Sequence, residues 1–440
     1  MSSVRKVSPL TVSRIDLPSS ETKSGAILPS QQYRQQKRYD ALVLDAHLRQ
    51  SLVTTRSLGR HGMLVAALDD ENAGTHLPTF ASHWCREAFV APSYERDSEV
   101  YARYLEALVK AMNIRVLITS SDGTLEILRQ HREQLEKYTR LAIASDMALD
   151  IAIHKDRTLA LAKELQIGVP AGVQVKTVAD VPAALHEVGL PAVVKPVCSW
   201  VWSEQENTRL ECRLVTTVDE ARRAVEDAVH LGGSALIQQF LTGRCEAVNF
   251  LYAGGEVYAR FAQWAKRMMP PLGGTSVWRQ SIAVPEDIGG QAERLVRAAD
   301  LEGYCEVEFR RDAQGKPYLM EINPRLSASI EVAVRSGVDF PQLIFQWASG
   351  EPIDHVTSYR TGLWMRYLQG DLITTIQAVL QRGRPGVTPP ARAVGNFLAS
   401  FFVPAHYDYF DWHDLKPCLS ETVDFGRVVA GHLRKGISHR

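Results

Sequence analysis

Short apolar runs alternate with amphipathic stretches over the first third of the chain. YDALVLDA (39–46) has the pattern of a buried strand, SLVTTRSLGRHG (51–62) has helical spacing and stops at Gly62, and MLVAALD (63–69) is a second strand. A helix is expected over 98–113, a third strand at RVLITSSD (115–122), a helix through LEILRQHREQLEKY, and a fourth strand at RLAIASD (140–146). Strands alternating with helices predict a parallel, wound sheet. Such sheets hold ligands at the carboxyl ends of their strands. Those ends here read LDAH, LDD, SSD and ASD, and no G-x-G-x-x-G follows the first strand. A dinucleotide site is therefore unsupported, and the acids would repel a pyrophosphate. The region reads as scaffold plus part of a small-substrate site.

The middle third changes character. HKDRTLALAKELQIGVP (154–170) is helical until Gly168 and Pro170 end it. VQVKT, PAVVKPV and SALIQQF (234–240) read as strands, with the helix VDEARRAVEDAVHLG between the last two. NFLYAGGEVYARFAQW (249–264) is a hairpin around Gly254-Gly255, IGGQAERLVRAADLEG is a helix, and YCEVEFRRDAQGKPYLMEINP (304–324) is a second hairpin turning at AQGK. The prediction is a mixed α/β and α+β chain. Residues 1–38 form a polar leader expected to be disordered, 39–150 a wound α/β domain, 151–345 a two-part domain divided at 242/243, and 346–440 a C-terminal extension.

Composition narrows the partners. Of 440 residues, 45% are hydrophobic, enough for two or three domains, and Lys+Arg and Asp+Glu balance at 50 each. A neutral chain has no global field for polyanions, so nucleic acid is not an expected partner. Six cysteines are scattered without C-x-x-C or zinc-ligand spacing. That favours a reducing, cytoplasmic setting over a disulfide framework. No apolar run approaches the ~20 residues of a membrane span. The leader lacks the apolar core of a secretory signal; its Arg and Ser content leaves a transit peptide open.

Candidate chemistry concentrates in YLMEINPRL (318–326). Side chains alternate along a strand, so Glu321 and Asn323 share one face, as do Glu306 and Glu308 on the preceding strand. A tight turn would bring Glu308 and Glu321 onto neighbouring strands. Two carboxylates so close repel unless a cation lies between them. Oxygen donors from two acids and an amide suit Mg²⁺, with Mn²⁺ as a substitute. Pro324 ends the strand, and Arg325 offers a planar fork for phosphate or carboxylate. A merely solvated, charged hairpin face is the plain alternative; it accounts for neither the amide nor the Pro-Arg. PAVVKPV places Lys195 inside an apolar strand, where it must reach solvent or meet an anion. Lys155 stands at a helix head, the usual place of an ordinary surface lysine.

Lysines, a strand running into Thr-Gly, and the paired acids with Asn follow one another in an order that resembles the ATP-grasp superfamily. VEF…LMEINPR is the most specific match, similar to the carbamoyl-phosphate-synthetase-like and biotin-carboxylase-like branches. The resemblance covers 39–150 as the preceding domain and about 150–340 as the grasp domain. It implies ATP and Mg²⁺ as cofactors, with Glu308, Glu321 and Asn323 holding the metal and Arg325 steadying the transferring phosphoryl group or its acceptor. Lys155 and Lys195 match the nucleotide lysines, Gln238, Gln239 and Leu241 the adenine hinge, and Glu246 the ribose acid. It also implies a ligase joining a small carboxylate to an amine through an acyl phosphate, and allows a homodimer.

One departure stands out. Family members often carry a glycine-rich flap after the second lysine, whereas 197–212 holds no Gly and carries Trp200 and Trp202. Ser199 and Ser203 could take part of the flap's role, or the segment could be a substrate lid. AKRMMPPLGGTSVWRQS (265–281) places Gly273, Gly274 and Ser276 between Arg267 and Arg279, resembling a P-x-G-G-x-S stretch in D-aspartate-ligase-like proteins. The loop suits a carboxylate or acyl phosphate; a solvated hairpin loop is the equal alternative. HYDYFDWHDLKP (406–417) is dense in His and Asp but reads as a packed aromatic tail. The rivals to ligation are an ATP-grasp carboxylase or kinase with a bicarbonate or hydroxyl acceptor, and a nucleotide-binding protein without turnover.

Overall fold

The structure, a computed structural model, describes residues 12–13, 38–198, 200–201, 208–230 and 233–438. The chain forms two compact units, one of Met1–Ser120, Glu126–Ala142 and Tyr409–Arg440, the other of Ser121–Leu125 and Ile143–Asp408. The C-terminal extension expected from 346 onward divides at Asp408/Tyr409 between the units.

In the first unit, β1 (Val12–Ser13), β2 (Tyr39–Val43), β3 (Val65–Asp70), β4 (Cys85–Ala91), β5 (Ile114–Ile118) and β6 (Arg140–Leu141) form a sheet in the order β1-β4-β3-β2-β5-β6. Every neighbouring pair is parallel, as the alternating pattern predicts. The pattern hides β4, because CREAFVA carries a charged pair at Arg86-Glu87. Glu87 is nonetheless buried, and its carboxylate accepts a 2.5 Å hydrogen bond from the Tyr39 hydroxyl. Of the leader expected to be disordered, Val12–Ser13 pair with β4. The remainder up to 37 lies outside the described residues.

The strand-end acids are largely engaged within the unit. Asp45 accepts from Ser120 N at 2.9 Å and Thr119 Oγ1 at 3.2 Å. Asp69 binds both the backbone N and Nδ1 of His47, at 2.6 and 2.8 Å, which pushes the imidazole up to about 9 despite its burial. The His/Asp-rich tail is a row of counterions, not a metal site. Asp414 takes Arg56 Nε at 2.9 Å and Ser82 Oγ at 2.6 Å, and Asp411 pairs with Arg60.

The second unit holds two larger sheets. β7 (Gly172–Val175), β8 (Ala192–Pro196), β11 (Arg213–Val215) and β12 (Ala235–Gln239) form an antiparallel sheet in the order β11-β8-β12-β7. Val175, Ala192, Val194, Ala235 and Ile237 lie in one apolar core with residues of the helices Val181–Val188 and Val218–His230. Between β8 and β11, β9 (Trp200–Val201) and β10 (Thr208–Arg209) form a small ladder. Ser199, Trp202 and Ser203 of the glycine-free segment lie outside the described residues. The other sheet runs β17 (Pro317–Asn323), β16 (Gly303–Arg311), β13 (Cys245–Ala253), β14 (Glu256–Met269), β15 (Thr275–Ile282), β18 (Trp364–Arg366), β19 (His406–Tyr407). It is antiparallel except for β18 with β19. Both predicted hairpins are present in it. Among the described residues no helix is long and apolar enough to cross a membrane, and the cysteines are free.

Arg56 is fully buried, with its guanidinium also donating to the Tyr409 and Asp414 carbonyls at 3.1 and 2.8 Å. Removing one partner of such a pair strands a buried charge. Arg56→Met is expected to destabilise the first unit by about 3–5 kcal/mol, measured by denaturant unfolding and by hydrogen exchange in the helix Arg49–Arg60.

Candidate active site

Residues paired across an antiparallel ladder share a face. The β16–β17 register sets Glu308 directly opposite Glu321 and Glu306 opposite Asn323. On β13, Ala247 faces Glu308 and Asn249 faces Glu306. On β14, Gln263 pairs with Ala247. One face of the sheet therefore carries Glu306, Glu308, Glu321, Asn323, Asn249 and Gln263 together.

Electrostatics at the hairpin suit a cation. Burial and then the neighbouring Glu321 and Glu306 charges push the Glu308 carboxyl well above the usual range, opposed by Arg325 and Lys195. Asn323 Nδ2 donates to Glu308 Oε1 at 2.9 Å. The Lys155 ammonium lies 3.7 Å from Glu321 Oε2. Lys155 is the first residue of the helix Lys155–Glu164 and is only 6% exposed. Lys195 is similarly buried, and its Nζ reaches Met320 Sδ at 3.9 Å. On the four-stranded sheet Lys195 pairs with Leu236, so it shares a face with Gln238, opposite the helix-covered side. Gln238 is buried, and its Nε2 has no hydrogen-bond partner. Gln239 is exposed and its N–H is spent on Ala171 O at 2.8 Å, while Leu241 is buried.

Arg325 has a partner that sequence reasoning did not name. Its Nε and Nη2 bind the two oxygens of Asp122 at 2.5 and 3.2 Å, and Nη2 lies 3.5 Å from Asn323 Oδ1. Asp122 holds the guanidinium charge firmly in place, raising its already high pKa despite desolvation. The signal was the Asp ending RVLITSSD, read as a strand end rather than as a clamp.

Other predicted residues are turned from this face or spent on other partners. Glu246 pairs in the ladder with Phe309 and Trp264, so it points to the opposite face, where Arg311 Nε binds it at 2.6 Å. A one-residue slip reverses a strand side chain; Cys245 takes the acid-bearing side. Arg267 is turned away by β-bulges after Ala265 and grips Asp371 at 2.5 and 2.6 Å. Arg279 is on the acid-bearing face but fully buried, its guanidinium spent on Asp408 and the Ser329 carbonyl. Gly273, Gly274 and Ser276 sit at the tip of the β14–β15 hairpin, with Ser276 paired to Met268. Gly274 has φ +99°, and a Cβ there would lie 2.5 Å from the Met269 carbonyl, so the turn requires glycine.

Among the described residues no group of three or more His, Cys, Asp or Glu side chains forms a metal cage. The donor set is two acids and an amide, all able to offer oxygen ligands, and a cation would relieve their like-charge penalty. Those residues fit Mg²⁺ shared with phosphate oxygens.

This geometry is that of an ATP-grasp fold. Residues 234–371 match the family described as ATP-grasp in the biosynthetic pathway with Ter operon. The chain is 24% identical over 238 residues to the carbamoyl phosphate synthase large chain of Caldanaerobacter subterraneus, covering 53% of this chain and 22% of that one. It is 26% identical over 332 residues to the D-alanine–D-alanine ligase of Cupriavidus necator, covering 69% of this chain and 94% of the ligase. The crystal structure of an L-amino acid ligase from Bacillus licheniformis superposes with a TM-score of 0.56 at 20% identity, over 72% of this chain and 76% of that one. The chain is similar to ATP-grasp proteins over these stretches and shares their fold. It spans about a fifth of the synthase large chains it matches.

The raised Glu308 carboxyl makes stability depend on pH. The folded chain keeps this proton where the unfolded chain has already lost it. Metal-free stability is therefore expected to fall as pH rises from about 4.3 through the raised folded value. Glu308→Gln should flatten that slope, read as the urea midpoint against pH; an unchanged slope would contradict the assignment.

Proposed function

We propose that the chain is an ATP- and Mg²⁺-dependent ligase that joins a small carboxylate to an amine and releases ADP and phosphate. The observation that carries it is the pair Glu308/Glu321, opposed across one ladder with Lys155 3.7 Å from Glu321. Glu308, Glu321 and Asn323 would hold Mg²⁺. Bound there, the ion would neutralise phosphate charge that the lysines alone leave uncompensated. Lys155 and Lys195 meet nucleotide phosphate oxygens, and Gln238, with its free buried N–H, lies on the lysine-bearing face where a base would be read.

Arg325, held by Asp122, steadies the terminal phosphoryl group as the acceptor carboxylate approaches its phosphorus. A carboxylate oxygen forms the new P–O bond as the bond to ADP breaks. The amine nitrogen then attacks the acyl carbon, loses a proton, and phosphate leaves with its oxygen. The chain's contribution is positioning, charge neutralisation and exclusion of water from the acyl phosphate. Similarity to a D-alanine–D-alanine ligase over most of that protein's length supports an amine acceptor over bicarbonate or a hydroxyl.

Glu321→Ala is expected to abolish ADP formation while circular dichroism stays native. Lys195→Met is expected to raise the KM for ATP about tenfold or more, the scale of one charge-assisted contact. Both are assayed as ADP release from ATP with pooled amino acids. Normal turnover in Glu321→Ala would remove the metal assignment.

A further inference from the structure

We propose that Glu306 is the positioning residue for the Arg325 guanidinium, an inference that rests on the ligase reading of this site. Glu306 is 5% exposed, yet no metal role falls to it. Its Oε2 accepts from Asn249 Nδ2 at 2.9 Å, Gln263 Nε2 at 3.0 Å and Ser329 Oγ at 3.3 Å. The donors come from β13, β14 and the loop after β17. Both amides turn their N–H groups to this one oxygen and leave Asn249 Oδ1 and Gln263 Oε1 buried without partners. Unpaired buried carbonyls are costly. Their orientation is therefore dictated by the negative charge at 306.

The same carboxylate brackets Arg325. On one side, Asn323 is its ladder partner. On the other, Ser329 is its hydrogen-bond partner, with Gln263 Nε2 donating to the same hydroxyl. Ser327 Oγ bonds to Ser329 Oγ at 3.0 Å and accepts from the Tyr304 hydroxyl at 3.1 Å, and Asn249 Nδ2 donates to Tyr304 at 2.7 Å. Arg279 Nε fastens the Ser329 carbonyl at 3.3 Å. Positions 323, 327 and 329 are thus tied to the sheet, and Arg325 lies between the ties facing Asp122. Glu306→Gln would remove the charge that holds both amide N–H groups, weaken the acceptor that Ser329 uses, and free both amides to satisfy their own carbonyls. The loop would lose its Ser329 anchor while the metal acids stayed in register.

The test compares wild type, Glu306→Gln, Ser329→Ala and Arg325→Ala by calorimetric titration with Mg-ATP and with Mg-ADP. Only ATP carries the terminal phosphate that Arg325 addresses. Arg325→Ala should lower the ratio of ATP to ADP affinity about tenfold, one charge-assisted contact. Glu306→Gln and Ser329→Ala should lower it in the same direction with ADP affinity unchanged. Ser329→Ala removes one hydroxyl and decides the matter if the buried Glu306 variant does not fold. A wild-type ratio in the folded variants, or equal losses for both nucleotides, overturns the positioning role. Absence of nucleotide binding in the wild type instead removes the ligase reading itself.

Discussion

The register of one hairpin forces two carboxylates face to face, and the surrounding unit is arranged to tolerate it. Glu308 and Glu321 cannot separate without slipping the β16–β17 ladder, and a one-residue slip would turn one of the two acids to the other face. Like charges ~4 Å apart at an effective dielectric of about 20 repel by roughly 4 kcal/mol. A neutral hydrogen bond returns only about 1 kcal/mol, so the Asn323 amide cannot offset the repulsion alone. The rest is met by a proton on Glu308 or by a cation. Lys155 contributes in part from its helix head, and burial, with the Glu321 and Glu306 charges, raises the Glu308 carboxyl.

Arg325 could also have neutralised the pair, and the structure prevents that. Asp122 takes both arms of its fork. An arginine collapsed onto Glu321 would quench the site and be lost to a substrate. The clamp leaves the guanidinium charged and oriented, so little reorganisation is needed when an anion arrives. In the proposed reading, this leaves the acid pair to a metal and the arginine to a phosphate or carboxylate. The division is written in hydrogen bonds, because charge alone would pair them differently.

This division explains what could be read from the chain. The hairpin acids were legible because strand alternation and a short turn fix both face and register, and the wound sheet was legible because its strands are apolar runs between helices. The face that Glu246 takes was not legible, since nothing in QQFLTGRCEAVNF marks which alternate residues face the acids. Arg267 was hidden by bulges, which reverse alternation without a sequence signature. Asp122 and Arg325 are 203 positions apart, and their meeting depends on chain topology that no local pattern carries. The β4 strand was lost because a buried Glu87 reads as solvent-facing until its Tyr39 partner is known.

The extension belongs to this same charge economy. Asp371 lies between Arg267 and Arg366, with Arg366 Nε at 2.7 Å, and Asp408 receives Arg279. Both acids come from beyond residue 345, and both neutralise arginines of the site-bearing sheet: half-buried Arg267 on β14 and fully buried Arg279 and Arg366 on β15 and β18. Buried pairs of this kind add little net stability over apolar packing, but breaking one is costly. Their effect is to fix one arrangement. Arg279 holds the Ser329 carbonyl as well as Asp408, so the segment around β19 is joined through a single buried guanidinium to the loop that carries Arg325. The tail that pattern reading left without a purpose is, on these contacts, a structural part of the site's own sheet.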